Sequence, residues 1–291
     1  MKYENIQNIF SRAAEQHAGR VAIERGSHQI TYRELEEDSN RLANFLLSEG
    51  ATKGSVVAIM TDNLVHVIKA MIAVLKAGCA FAPLDPRLPA NRLKAMLAQI
   101  EPRWCIAEHD DFDFEMKRIR FDDAKHSATS KPNIESDPDQ LCSIYFTSGS
   151  TGTPKPIAGR LKGISHFVSW ETNALGLGEG ARVSQLTSPV WDAFLRDVFV
   201  PLSLGGTVCI PESRDLKLDA RALADWIDAS RVNVVHCVPS LFRALINAGL
   251  TNENFQSLRY VLLAGEPLLP ADVGRWADVF GERIRLVNLY G

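Results

Sequence analysis

LCSIYFTSGSTGTPK, residues 141–155, is the stretch on which the reading of the whole chain turns. Its first six residues are largely apolar, with isoleucine, tyrosine and phenylalanine, and predict a buried strand. The nine that follow, Thr147-Ser148-Gly149-Ser150-Thr151-Gly152-Thr153-Pro154-Lys155, carry no apolar period at all. Two glycines permit tight turns and a close backbone approach. The hydroxyls and free backbone N–H groups can donate to phosphate oxygens, and Lys155 adds a cation. A Ser/Thr/Gly-rich surface linker has the same composition, but placement directly after an apolar strand favours a phosphate-binding loop. The loop fits neither the Walker A template nor the dinucleotide template GxGxxG.

Outward from this loop the chain alternates short β-branched runs with helical periods, which predicts an α/β architecture. Strands are expected at 56–60, 104–107, 141–146, 182–186, 207–210, 232–237, 260–263 and 284–289. Thr31 followed by Glu34 reads as a capping box opening a helix whose face is Leu35, Leu42, Ala43 and Leu46. Further helices fit at 65–77, after Pro86 and Pro89, at 218–229 and at 240–248. Residues 108–140 turn acidic and aperiodic, an irregular connection with room for a short strand in FEMKRIRF, residues 114–121. The last strand has no closing helix after it, which predicts a chain that stops inside a domain.

The totals narrow the class. With 46% hydrophobic and 23% charged residues, 291 residues can bury a sizeable core as one large α/β domain with subdomains. A net charge of −3 and the lack of a basic, aromatic-studded stripe argue against nucleic acid or an anionic membrane as partner. No run of eighteen apolar residues and no export signal is present, so a cytoplasmic location is expected. The five cysteines are scattered, odd in number and free of any CxxC pair, which reads as buried free thiols.

Three other segments join the loop in a fixed order: LKAGCAFAPLDP at 75–86, LAGE at 263–266 and NLYG at 288–291. Together with YFTSGSTGTPK they resemble the signatures of the adenylate-forming superfamily, and most of all the adenylation domains of nonribosomal peptide synthetases. One departure is Pro156, where that family usually has glycine. The resemblance implies a layered αβαβα sandwich of two sheet-plus-helix subdomains, with residues 1–291 forming an adenylation-domain N-terminal core that is incomplete and lacks the small C-terminal domain. It implies ATP and Mg²⁺ as cofactors, a phosphopantetheine arm on a peptidyl carrier domain as acceptor, and neighbouring synthetase domains as partners. By the same carry-over, Thr147 and Lys155 are the catalytic candidates. Nucleotide binding falls to Thr147, Ser148, Gly149, Ser150, Thr151, Gly152 and Lys155 with Gly265, Glu266, Asn288, Tyr290 and Gly291. The family's Mg²⁺-binding glutamate would lie past residue 291, so no metal ligand is assigned.

The second informative segment is PVWDAFLRDVF, residues 189–199. A helical reading sets Asp192 and Arg196 at i and i+4 on one face, where a plain surface ion pair is the simplest account. WDAF, however, is similar to the family segment whose aspartate holds a substrate ammonium, which implies an amino acid as the acid. The implied pocket comprises Trp191, Asp192, Ala193, Arg196, His236, Leu262, Ala264 and Leu289. His236, in VNVVHCVP, is either a satisfied core histidine or a second cation beside Arg196. Two cations in the pocket predict an acidic side chain, of the aspartate or glutamate kind. A stand-alone acyl- or aryl-CoA ligase and a non-catalytic ATP- or partner-binding fragment are the alternatives.

Overall fold

The structure, a computed structural model, describes residues 4–108, 115–147 and 154–289. The chain opens with α1 (Ile6–Gln16), the strands β1 (Val21–Arg25) and β2 (His28–Thr31), and α2 (Tyr32–Ser48). Then come β3 (Val56–Met60), α3 (Leu64–Lys76), β4 (Ala80–Pro83), α4 (Ala90–Ile100), β5 (Trp104–Ala107) and β6 (Lys117–Ile119). The strands β7 (Leu141–Thr147) and β8 (Lys155–Arg160) lead to α5 (Leu161–Ala174), β9 (Arg182–Ser184) and α6 (Phe194–Ser203). The remainder is β10 (Thr207–Ile210), α7 (Ala220–Ala229), β11 (Val234–Cys237), α8 (Pro239–Ile246), β12 (Tyr260–Leu263), α9 (Pro270–Phe280) and β13 (Arg285–Asn288).

These elements divide into two compact units, one of Met1–Gly19, Thr31–Ala174 and Ser188–Asp192, the other of Arg20–Ile30, Leu175–Thr187 and Ala193–Gly291. The α/β expectation therefore holds, with one sheet to each unit.

In the first unit the sheet runs β6-β5-β3-β4-β7-β8, parallel except for the antiparallel β7–β8 edge. β3 has β4 on one side and β5 on the other, so the strand order reverses there. The predicted capping box forms: the Thr31 hydroxyl accepts from Glu34 N at 3.3 Å and the Glu34 carboxylate accepts from Thr31 N at 2.7 Å. Asn63 caps α3 by accepting from Val65 N. Ala58, Met60, Leu93, Met96, Leu97 and Cys105 make one apolar core beneath α4. The departure at Pro156 costs little, because β8 is the sheet's edge strand and a missing N–H is tolerated there.

The second sheet runs β13-β12-β11-β9-β10-β1-β2, with parallel pairing from β13 through to β1. Here β9 is flanked by β10 and β11, and the order again reverses. One face packs on α7, α8 and α9 through Leu223, Val235, Phe242, Val261, Leu263 and Trp276. Trp276 stands 5.0 Å from the Phe242 ring and 4.4 Å from Phe280, an arrangement that adds geometric preference to burial. Gly206 lets the chain pass close to Ala181 before β10; a Cβ there would lie 2.1 Å from the Ala181 carbonyl oxygen.

One expectation is corrected. The helix at 189–199 begins only at Phe194, so Asp192 lies in the turn before it and not on its face. The segment 114–121 does hold a strand, but the hairpin strands β1 and β2 and the edge strand β8 were not expected from the sequence. All five cysteines are free, and among the described residues no helix is long and apolar enough to cross a membrane.

Candidate functional site

In an open parallel sheet, ligands collect outside the carboxyl ends of the strands, where the strand order reverses. In the second unit that point lies between β9 and β11. Strand register shows which predicted residues meet there. His236 pairs with Leu262, and Leu262 with Val287, so the three project from the same face of the sheet. Ala264 and Leu289 are two residues further along β12 and β13 and keep that face. The ladder continues far enough to hold them: Ala264 N donates to Cys237 O at 3.4 Å and Leu289 N to Leu263 O at 2.8 Å. His236, Leu262, Ala264 and Leu289 thus share one face at one sheet end, while Leu263 and Val235 turn to the opposite, helix-packed face.

His236 is buried, at 1% exposure, and its Nδ1 lies 2.9 Å from Oδ1 of Asp197, which is 0% exposed. The other oxygen, Oδ2, accepts from Leu186 N at 3.1 Å and Thr187 N at 2.9 Å, both in the loop leaving β9. Lys217 Nζ donates to the Leu186 carbonyl. Burial lowers the Lys217 pKa, against the pull of the Asp197 charge. The expectation that His236 is simply a second pocket cation is therefore modified: its ring is committed to a carboxylate of its own chain. Asp197 was missed. Its signal lay in FLRDVFVPL, where the aspartate stands at 197 between Phe194 and Val198 on the apolar face of α6. Arg196, the neighbouring candidate, is half-buried, and its N–H donates to Ala193 O at 3.2 Å.

The turn after β12 holds two of the assigned nucleotide-binding residues, Gly265 and Glu266. Gly265 adopts φ +87°, a left-handed conformation that favours glycine. Glu266 accepts from Ser240 N at 2.8 Å and from the Ser240 hydroxyl at 2.9 Å, so its carboxylate caps the start of α8. Cys237 is held as a thiol: burial pushes its pKa up to about 12, with the Asp197 and Glu266 charges adding to it. It is no nucleophile at neutral pH. Asn288 is exposed at the end of β13.

In the first unit, Thr147 ends β7 and Lys155 begins β8, and the two are register partners across the hairpin. Both are exposed. Ser148, Gly149, Ser150, Thr151 and Gly152, like Tyr290 and Gly291, lie outside the described residues. Trp191 and Asp192 end this unit in an exposed turn, with Trp191 N donating to Ser188 O at 3.1 Å. Asp192 is exposed in this turn. Its charge reaches the phenol of Tyr145, whose pKa is raised well above the ordinary value first by burial and then by Asp192. The Tyr145 hydroxyl has no hydrogen-bond partner among the described residues. No cluster of three or more His, Cys, Asp or Glu side chains able to hold a metal occurs among the described residues.

A family model described as AMP-binding enzyme matches residues 10–291. Surfactin synthase subunit 2 of Bacillus subtilis (strain 168) is 30% identical over 291 residues, a match covering 97% of this chain and 8% of the relative. A hybrid PKS-NRPS synthetase TAS1 of Gloeophyllum trabeum is 32% identical over 298 residues, covering 97% and 18%. The chain thus spans less than a fifth of the length of these curated relatives. Among solved structures, the nonribosomal peptide synthetase FmoA3 (S1046A) superposes with a TM-score of 0.90 at 22% identity, over 99% of this chain and 31% of that one. That likeness concerns the fold.

Proposed function

The chain belongs to the AMP-binding enzyme family, and from that premise we propose that it is the larger part of an adenylation domain that activates an amino acid within a peptide synthetase. The likeness to surfactin synthase and to a hybrid PKS-NRPS synthetase supports a modular context of this kind. In the proposed reaction the amino acid carboxylate attacks the α-phosphorus of ATP, pyrophosphate leaves, and an aminoacyl adenylate remains. A phosphopantetheine thiol on a carrier domain then displaces AMP and takes the acyl group.

The first step brings two anions together, so most of what the protein supplies is position and countercharge. Thr147 and Lys155, facing each other at the mouth of the β7–β8 hairpin, offer a hydroxyl and a cation suited to a polyphosphate. Mg²⁺, when bound, would neutralise charge on the departing pyrophosphate. Glu266 and Gly265 shape the turn at the end of β12 and are assigned to nucleotide binding by the resemblance. Lys155 acts on the leaving group, so its loss lowers turnover more than it lowers stability.

The observation that carries the choice of an amino acid is Asp192: an exposed carboxylate, set in the turn before α6, that a substrate ammonium can reach. Arg196 is the cation assigned to a side-chain carboxylate, since a guanidinium binds carboxylate in bidentate fashion. The side chain is therefore of the aspartate or glutamate class. The test is Asp192→Ala in the full-length protein. Amino-acid-dependent ATP–pyrophosphate exchange should fall by about 10-fold or more, the worth of a hydrogen bond to a charged group. A fatty-acyl or aryl-acid ligase would keep its rate.

A further inference from the structure

We propose that the hydroxyl of Tyr145 is a further determinant of substrate choice, a neutral oxygen that accepts a hydrogen bond from the substrate's ammonium beside the Asp192 carboxylate. This role rests on the amino-acid reading proposed above. Both residues belong to the first unit. Tyr145 stands on β7 two residues before Thr147, so the two side chains share a face of the sheet. Across the hairpin they pair with Ile157 and Lys155. The Tyr145 ring meets Phe81 edge-on, with 6.3 Å between centroids.

The side chain is 9% exposed, and its Oη is buried without a hydrogen-bond partner among the described residues. A hydroxyl can donate one hydrogen bond and accept two, and a buried one left unpaired opposes folding. Phenylalanine would fill the same space against Phe81 without that cost, so the ring carries an oxygen that the fold does not use. Asp192 lies near enough for its charge to act on the phenol. It is itself exposed, which gives a ligand its approach from that side. Phosphate and carboxylate groups are repelled beside Asp192, whereas an ammonium is attracted and brings three N–H donors for the two residues to share. The same negative charge keeps the proton on the phenol, so the oxygen stays neutral and accepts through its lone pairs.

Tyr145→Phe removes one atom and keeps the ring against Phe81. In ATP–pyrophosphate exchange by the full-length protein, its KM for the amino acid should rise about 10- to 100-fold, the worth of a hydrogen bond to a charged group. Its KM for ATP should stay within about 2-fold. The desamino analogue of the substrate, which lacks the ammonium, should inhibit exchange by wild type and variant equally, within about 2-fold. In an Asp192→Ala background the same substitution should add much less, because the two oxygens share one cation. The thermal midpoint should stay level or rise, since the fold loses no hydrogen bond.

An unchanged amino acid KM in Tyr145→Phe overturns this role, and so does an equal weakening of the desamino analogue. A variant that fails to fold, or melts well below wild type, overturns it as well, because the hydroxyl then serves the fold. None of these results touches the amino-acid reading. Exchange that survives Asp192→Ala at the wild-type rate overturns that reading, and the role of Tyr145 with it.

Discussion

Lys76 sits where its charge is least at home. Its side chain is fully buried, and Nζ donates to Glu36 Oε2 at 2.7 Å, Ser39 Oγ at 2.8 Å and Asn40 Oδ1 at 2.7 Å. Burial lowers its pKa to about 8, against the opposing pull of Glu36. Such a pair is poor evidence of net stabilisation, yet breaking it is costly. Lys76→Met alone should destabilise by about 3–5 kcal/mol, because Glu36 is left half-buried without its cation. Adding Glu36→Gln should restore a large part of that loss. Urea midpoints of the single and double variants check this, and equal destabilisation in both would contradict it. At this scale the sequence disclosed identity better than pairing. Asp192, Arg196 and His236 were legible as chemistry-bearing types, and the motifs around them gave their order. The Asp197–His236 bond was not, because its partners are 39 positions apart and no local spacing encodes a contact across a sheet.

The elements divide in the same way. Val56–Met60, Trp104–Ala107, Thr207–Ile210 and Tyr260–Leu263 stand where their β-branched or apolar runs placed them. These are buried parallel strands, which need continuous apolar character. β8 was illegible: KPIAGR has a proline, a glycine and two exposed cations, and such a strand exists only because β7 offers it an antiparallel edge. The helix at the candidate site began two residues later than the i, i+4 spacing implied, since Ala193 caps it without a side-chain acceptor. Close approach between elements gives a prediction of its own. Gly206→Ala should cost about 1–3 kcal/mol or more, because its Cβ meets the backbone of Ala181 and not a side chain that can move aside. Gly163→Ala, in α5 with open space around its Cβ, should be neutral or stabilising by up to about 1 kcal/mol. Thermal unfolding of the two variants should move in opposite senses or show loss in the first alone; a greater loss in Gly163→Ala would contradict the packing described.

For the whole molecule, four buried thiols and the half-buried Cys237 dictate how stability changes at high pH. Burial pushes Cys79, Cys105, Cys209 and Cys237 up to about 12 and Cys142 to about 11, from an ordinary value of 9.0. Between those limits the unfolded chain has released protons that the folded chain still holds. The thiols' contribution to stability is complete below pH 9 and is lost as the pH rises toward the folded values, by about 1.4 kcal/mol per thiol per pH unit. Lys76 acts in the opposite direction between about 8 and 10.5, since there the unfolded chain keeps a proton that the folded chain has given up. Lys217, whose pKa burial also lowers, acts in the same sense as Lys76, and two lysines do not offset five thiols. Denaturant midpoints should therefore fall steeply between pH 9 and 10.5, and a flat profile would contradict this burial.

The two units share a device: in each sheet one strand has later strands on both sides, and the crevice this creates is where a ligand is expected. Only the second unit gathers His236, Leu262, Ala264 and Leu289 on one face there. ATP–pyrophosphate exchange by the full-length protein, run against a panel of amino acids, bears most directly on the proposed activity. Aspartate- or glutamate-like substrates should give the fastest exchange, with leucine and phenylalanine near background. Robust exchange with leucine or phenylalanine and none with acidic amino acids would contradict it.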